Sequence, residues 1–235
     1  MGRINDEVGK NLRSARRQRH LTLEAVAAQL GKSKSTISKY EKGEIMVDVE
    51  TLYALAALYR VHVEQLLYST SADERPAPTG PVPGFFNGLR RFYGYFFDGR
   101  DNSIVRCVFD VLDETEPGRF KLMLYMNYRS DADYRNCENT YYGFMDHYDA
   151  VTTITLTNAE TPMEKASCQV LAAYLDAETK WALWTGLSSR PMMPISTKML
   201  LTKQPQKPDA LLAGRLRISR EDIRLLKLYN MLSVT

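Results

Sequence analysis

Apolar residues recur every three or four positions in the first 70 residues, the spacing of helices with one buried face. Thr22, Ser33 and Asp48 each precede such a segment and are predicted N-caps, because their side-chain oxygens can accept a free N–H of the first turn. Gly31 and Gly43 follow two segments and are predicted to end them. The pattern predicts a helix ending near His20, the three capped helices, and a short fifth helix with Val63, Leu66 and Leu67. We therefore expect a compact all-α domain.

After residue 85 the period changes to two, and Tyr, Phe, Val, Ile and Thr become frequent, which is typical of strands. One segment, Ala166–Tyr174, is equally compatible with a helix. Ser219 and Asp222 resemble a capping box at the start of a helix running to Leu232. The eight predicted strands are Phe92–Phe97, Ser103–Leu112, Phe120–Tyr128, Thr140–His147, Val151–Thr157, Ala166–Tyr174, Trp181–Leu187 and Ile195–Leu201. A mainly antiparallel β domain, sandwich or barrel, with a C-terminal helix is expected.

A proline-rich segment separates the two patterns. Residues 69–84 are STSADERPAPTGPVPG, and alternating prolines favour an extended, semi-stiff spacer. An ordered loop on the surface of one domain is the alternative. The predicted organisation is a helical domain at 1–70, a linker at 71–84 and a β-rich domain at 85–235.

Charge is unevenly distributed along the chain. The net charge is +3, yet residues 1–43 hold ten Lys and Arg against four Asp and Glu, and residues 71–235 are neutral. A basic N-terminal patch favours a polyanionic partner. The sequence has no apolar run of about 18 residues and no signal-peptide pattern at its start, so we expect neither a membrane segment nor export. Three cysteines without a C-x-x-C pair fit a reducing cytoplasm.

The third predicted helix has two different faces. Lys34, Ser35, Ser38 and Lys39 fall within about 140° of arc, and Ile37 with Tyr40 lies on the opposite side. Two cations and two hydroxyls provide donors and acceptors suited to base edges in a major groove. An ordinary amphipathic helix with a solvated polar face is the alternative.

Residues 5–68 resemble the helix-turn-helix domain of the XRE family, typified by Cro and C-type phage repressors. The departures are His20, where the family often has glycine, and Met46-Val47, which replaces a proline-containing turn. The matching residues are Leu21, Thr22, Ala27, Gly31, Ser33, Ile37, Ser38, Glu41, Gly43, Leu52, Leu55, Ala56 and Leu66.

The resemblance implies roles for individual residues. Positions on the third helix correspond to the family's base contacts, and basic or N-cap positions around it correspond to phosphate contacts. Arg16 is expected to pair with Glu41 in a structural role, and two copies are expected to bind half-sites about 34 Å apart. The implied base-contacting residues are Lys34, Ser35, Ser38 and Lys39, and the implied phosphate-contacting residues are Thr22, Arg13, Arg17 and Lys42.

The β-rich domain gives no sign of an active site. His147 is its one histidine, which argues against the clustered histidines of a cupin metal site, and it is expected to be a satisfied sheet residue. Cys107, Cys137 and Cys168 are expected to be buried apolar residues. Ala213-Gly214 has no Ser/Lys dyad after it, and residues 186–189 miss a G-x-S-x-G elbow. Neither an enzyme, a cofactor nor a metal is expected.

Aromatic residues dominate the β-rich domain, which holds 20 of the 24. These rings are expected to form its core or to line an apolar pocket, in which Arg90, Arg91 and Arg190 would face an anionic effector. The 219–232 helix is expected to pack on its own domain and on a partner subunit, and burial within a single subunit is the alternative. We predict a cytoplasmic, homodimeric transcriptional regulator, a repressor rather than an activator. The alternative is a DNA-anchored interaction module for a toxin, a kinase or RNA polymerase.

Overall fold

The structure, a computed structural model, describes residues 3–67, 80, 82–171, 177–189 and 191–234. It divides into two compact units, the first made of residues 1–75 with 135–137 and the second of 76–134 with 138–235. Most of the predicted linker, and Arg190, lie outside the described residues.

The first unit contains five helices, as the periodicity predicts. Thr22, Ser33 and Asp48 each accept a backbone N–H three residues ahead, so all three predicted N-caps are confirmed. Gly31 and Gly43 have φ values of +61° and +70°, which suits the residue type that ends these helices. The helices are α1 (Arg3–Gln18), α2 (Leu23–Gln29), α3 (Lys34–Glu41), α4 (Val49–Tyr59) and α5 (Val63–Leu67).

Close packing against α1 fixes the position of α3. A Cβ at Gly9 would lie 2.7 Å from the carbonyl oxygen of Tyr40 and 2.8 Å from that of Glu41, so only glycine permits this approach. At the other side of α1, the buried Asn11 side chain donates to the carbonyl of Leu66 at 3.1 Å. Because α1 contacts both α3 and α5, it holds α3 in a defined orientation within the unit.

The second unit contains a closed eight-stranded antiparallel barrel in which the strands follow one another in chain order. Closure comes from β1 and β8, where Tyr93 is opposite Thr202 and Tyr95 is opposite Leu200. Each of the eight predicted strands is confirmed over its described residues, and positions 172–174 of the predicted sixth strand lie outside them. The barrel decides between the two predicted architectures. The strands are β1 (Arg91–Asp98), β2 (Ser103–Glu116), β3 (Arg119–Tyr128), β4 (Cys137–His147), β5 (Val151–Asn158), β6 (Lys165–Leu171), β7 (Thr179–Ser189) and β8 (Met192–Thr202).

Aromatic and aliphatic side chains from all eight strands pack in one core. Phe92 stacks on Phe109 with ring centroids 4.5 Å apart, and Phe96 stacks near Trp184 at 6.3 Å. Gly94 permits this packing, since a Cβ there would lie 2.9 Å from both Met199 Sδ and a Phe109 ring carbon. The predicted core role of these rings is confirmed.

Two helices follow the barrel, one more than the sequence pattern predicted. The unpredicted helix, α6 (Ala210–Leu216), buries Leu212 and Leu216 against Tyr95 and Leu200 on the outside of the barrel. The predicted helix, α7 (Arg220–Tyr229), begins with the predicted capping box. It ends before the predicted Leu232 because Asn230 adopts φ +52°.

An ion pair anchors α7 to β8. Lys198 Nζ lies 2.6 Å from Asp222 Oδ2, and the side chain of Lys198 is only 8% exposed. The same carboxylate accepts the backbone N–H of Ser219 at 2.6 Å. The first turn of α7 is therefore fixed to the barrel, whereas none of the described residues of α7 is fully buried.

Candidate nucleic-acid interface

The two faces of α3 have different environments. Ile37 is 1% exposed and Tyr40 is 6% exposed, so the apolar face packs into the core of the helical unit. Lys34, Ser35 and Lys39 on the other face are exposed, and Ser38 is half-buried. Because one face is packed, the other is presented to solvent in a fixed orientation.

A tight turn sets the angle between α2 and α3. The backbone N–H of Lys32 donates to the carbonyl of Ala27 at 3.0 Å, across the left-handed residue Gly31. Ser33 then caps α3 by accepting from the backbone N–H of Thr36 at 3.0 Å. These local bonds place the first residue of α3 beside the start of α2.

Arg16 joins three segments of the helical unit. Its guanidinium donates from Nε to Glu41 Oε1 at 2.6 Å and from a terminal nitrogen to Glu41 Oε2 at 2.9 Å. The other terminal nitrogen donates to the carbonyl of Leu21 at 2.8 Å. The hydrogen bonds to Glu41 raise the pKa of Arg16, so its guanidinium stays protonated. Arg16 thus connects α1 to the end of α3 and to the turn that precedes α2.

Three lysines around α3 are each close to a carboxylate. Lys34 Nζ lies 2.5 Å from Glu24 Oε1, Lys42 Nζ lies 3.6 Å from Glu44, and Lys32 Nζ lies 3.8 Å from Asp48. Within the described part of the chain, Lys39 has no such ion pair. The pair between Lys34 and Glu24 is a feature that sequence patterns did not indicate, since the two residues lie ten positions apart on different helices.

The residues proposed for phosphate contacts are all accessible to solvent. Arg13, Arg17 and Lys42 are exposed. Thr22 is also exposed, and its hydroxyl accepts the backbone N–H of Ala25 at 3.1 Å at the start of α2. Three exposed cations and a helix N-terminus are chemically suited to anionic oxygens.

Comparisons with known proteins fit this arrangement. The helix-turn-helix family model matches residues 12–66. Through these residues, the chain belongs to the helix-turn-helix family. The DNA-binding domain of BldD from S. venezulae is 30% identical over 28% of this chain and all of that domain, with a TM-score of 0.27.

Two further solved structures resemble parts of the chain. The restriction-modification controller protein C.AhdI from Aeromonas hydrophila is 24% identical over 26% of this chain and 92% of its own, with a TM-score of 0.25. Apo-HppE is 12% identical over 87% of this chain and 94% of its own, with a TM-score of 0.27. These TM-scores are below 0.5 and do not establish a shared fold. No functionally curated protein has a significantly similar sequence.

Outside the helix-turn-helix domain, the expected environment of two residues differs from the one observed. His147 Nδ1 lies 2.9 Å from the Thr152 hydroxyl, yet its buried Nε2 has no hydrogen-bond partner among the described residues, so the predicted satisfied histidine is only half satisfied. Burial lowers its pKa to about 4. Cys107 and Cys168 are buried as predicted, whereas Cys137 is half-buried at the start of β4.

Arg91 is committed to a structural network rather than to the predicted effector pocket. It donates to the fully buried Asp110 at 2.6 Å and to the Tyr134 hydroxyl at 2.6 Å. Tyr134 in turn donates to Asp110 at 2.7 Å. In the described residues there is no group of three potential metal ligands and no helix long and apolar enough to cross a membrane.

Proposed function

We propose that this protein is a transcriptional regulator that binds operator DNA as a homodimer, with α3 as the recognition helix. The observation that carries the proposal is the polar row of exposed Lys34, Ser35 and Lys39 with half-buried Ser38, on a helix whose opposite face is buried. Lysine ammonium groups and serine hydroxyls match the acceptors and donors that base pairs present in the major groove. A fixed helix can insert this row without reorganisation of the domain.

Phosphate contacts would set the position of the domain on the duplex. Arg13, Arg17 and Lys42 would neutralise backbone charges, and backbone N–H groups at the start of α2, beside Thr22, would donate to a phosphate oxygen. Such contacts carry no sequence information, so sequence preference would come from α3. A dimer bound to an operator would block transcription, so we propose a repressor. The protein would act in the cytoplasm, where it has access to the DNA.

The second unit would supply dimerisation. Ile223, Leu226 and Tyr229 are 43%, 42% and 54% exposed and lie within about 120° of arc on α7. Leu225, nearer the barrel, is half-buried. Antiparallel pairing about a two-fold axis at Leu226 would place Ile223 against Tyr229 of the partner subunit. The stripe is therefore self-complementary, which is the geometry that a two-fold dimer requires.

Dimerisation is favoured over effector sensing by the packing of the barrel. Phe92, Phe96 and Trp184, three of the rings proposed for a ligand pocket, pack within the barrel core. Arg91 is held by Asp110. An interaction module for another protein is the second candidate, favoured by the same exposed stripe on α7. We propose no catalytic activity for the barrel.

Selection from a random double-stranded DNA library with the full chain tests the proposal. We expect enrichment of an inverted repeat whose half-sites are separated by about 34 Å, one turn of DNA. Failure to enrich any sequence, with binding that depends on salt alone, would contradict it. Enrichment of a single half-site without an inverted repeat would support base recognition by α3 but contradict binding as a dimer.

A further inference from the structure

The ion pair between Glu24 and Lys34 joins the starts of α2 and α3 on the proposed DNA-binding surface. Lys34 is the first residue of α3, and Glu24 is the second residue of α2. Their charged atoms are 2.5 Å apart, and both side chains are 60% exposed. An exposed pair of this kind contributes little to stability, so a role in folding does not account for the arrangement.

The two groups have opposite hydrogen-bonding character. An ammonium group only donates, and an ionised carboxylate only accepts. Lys34 has three N–H donors, of which the pair with Glu24 uses one. The hydrogen bond from Lys34 lowers the pKa of Glu24, so its carboxylate is ionised at neutral pH and keeps lone pairs for a second donor.

A G·C base pair presents the complementary pattern in the major groove. Guanine offers the acceptors N7 and O6, and its paired cytosine offers the donor N4–H₂ beside them. A donor and an acceptor held next to each other therefore match the two bases of one pair. An A·T pair presents O4 of thymine and N6–H₂ of adenine, but its methyl group and its single N7 acceptor give a poorer match for an ammonium ion.

We propose that Glu24 is a specificity-determining residue, which together with Lys34 recognises a G·C pair in each half-site. This inference rests on the proposed DNA-binding function. Lys34 donates to guanine and Glu24 accepts from cytosine N4, while their mutual contact keeps both side chains in register. On DNA that lacks this G·C base pair, Glu24 neutralises the charge of Lys34 and repels phosphates, which reduces binding to unrelated DNA.

The test repeats the DNA selection with the full-length Glu24→Gln variant. The wild-type chain is expected to prefer G·C over A·T at one position of each half-site by on the order of tenfold. Glu24→Gln is expected to lose most of this preference at that position and to keep the others. Glu50→Gln removes the same charge from the exposed start of α4 and serves as the matched control with an unchanged motif.

Salt dependence provides an independent readout on DNA without an operator. Release of Lys34 in Glu24→Gln should tighten non-specific binding and steepen the slope of log K against log salt by about one. Glu24→Asp, whose shorter side chain keeps the charge but not the reach, should lose the G·C preference without this steepening. Circular dichroism confirms that each variant is folded.

The outcomes separate the two proposals. If the wild-type chain enriches no sequence, the proposed function fails. If it enriches an operator that Glu24→Gln recognises with the same preference at every position, or with a uniform loss across all sequences, DNA binding stands and the role of Glu24 is overturned.

Discussion

Arg16 on α1 and Glu41 at the end of α3 form a two-point ion pair, with donor–acceptor distances of 2.6 Å and 2.9 Å. Their side chains are 12% and 6% exposed, so the pair lies at the boundary of the core of the helical unit. Such a pair is costly to break from one side, because the remaining charge stays buried without its partner.

Replacement of Glu41 by Ala should therefore destabilise the helix-turn-helix domain. We expect the free energy of unfolding to fall by about 3 kcal/mol, measured by urea denaturation of the full chain. The double variant Arg16→Met, Glu41→Leu removes both charges and should recover part of the loss. An equal or greater loss in the double variant would show that the pair is not the source of the effect.

Lys39 and Lys42 should affect DNA binding in different ways. Lys39→Ala should reduce affinity for the selected operator more than for unrelated DNA, because Lys39 lies on the exposed face of α3. Lys42→Ala should weaken binding to all sequences and lower the salt slope by about one. Fluorescence anisotropy at several salt concentrations measures both quantities. Identical behaviour of the two variants would contradict the separation into base and phosphate contacts.

A charge in the exposed stripe of α7 should dissociate the proposed dimer. Leu226→Glu would place two carboxylates at the two-fold axis, and we expect a monomer by sedimentation velocity. Leu228→Glu makes the same substitution about 160° around the helix, at a side chain that is 62% exposed, and should leave the dimer intact. The proposed interface would be wrong if the wild-type chain were a monomer, or if the Leu226→Glu variant remained a dimer. In either case the exposed stripe would be a candidate binding surface for another protein.

Acid should destabilise the barrel through His147. In the unfolded chain this imidazole gains a proton near pH 6.5, whereas burial keeps the pKa of the folded residue at about 4 against the opposing effect of Glu114. The unfolded state therefore binds more protons between these pH values, and the free energy of unfolding should fall on acidification by up to about 3 kcal/mol.

Urea titrations at pH 7 and pH 5 measure this dependence. His147→Gln should unfold more easily at pH 7 but lose much less stability between pH 7 and pH 5 than the wild-type chain. Between pH 7 and pH 8, His147 should cause no change in the free energy of unfolding of the wild-type chain, because it is neutral in both the folded and the unfolded state. A variant that follows the wild-type acid dependence would assign the effect to other groups.

Periodicity and capping residues predicted most of the fold. Thr22, Ser33, Asp48 and Ser219 are local signals, because each cap bonds to a backbone N–H three residues ahead. The short helix α6 was missed because its seven residues give too little periodicity, although Asp209 caps it in the same manner. The choice between sandwich and barrel depends on the pairing of β1 with β8, which no local pattern encodes.

The candidate site shows the same division between local and distant information. The exposed face of α3 follows from helical spacing alone, and the pairing of Arg16 with Glu41 was implied by the family resemblance. The contact of Glu24 with Lys34 depends on the angle between α2 and α3, which is set by the turn at Gly31. The packing of Arg91 on Asp110 likewise depends on the register of β1 with β2, where the two residues are opposite each other.

Closure of the barrel by its first and last strands has a consequence for synthesis on the ribosome. Tyr93 and Thr202 are paired although they lie about 110 residues apart in the sequence. One edge of β1 therefore stays unpaired until β8 has left the ribosome. The five helices have no such delay, because the apolar residues of their shared core all lie within the first 67 residues. The helix-turn-helix domain can therefore be folded while the barrel is still an open sheet. A chain truncated within β8 would have a folded helix-turn-helix domain followed by an open sheet. That sheet would expose two strand edges and would be prone to aggregation.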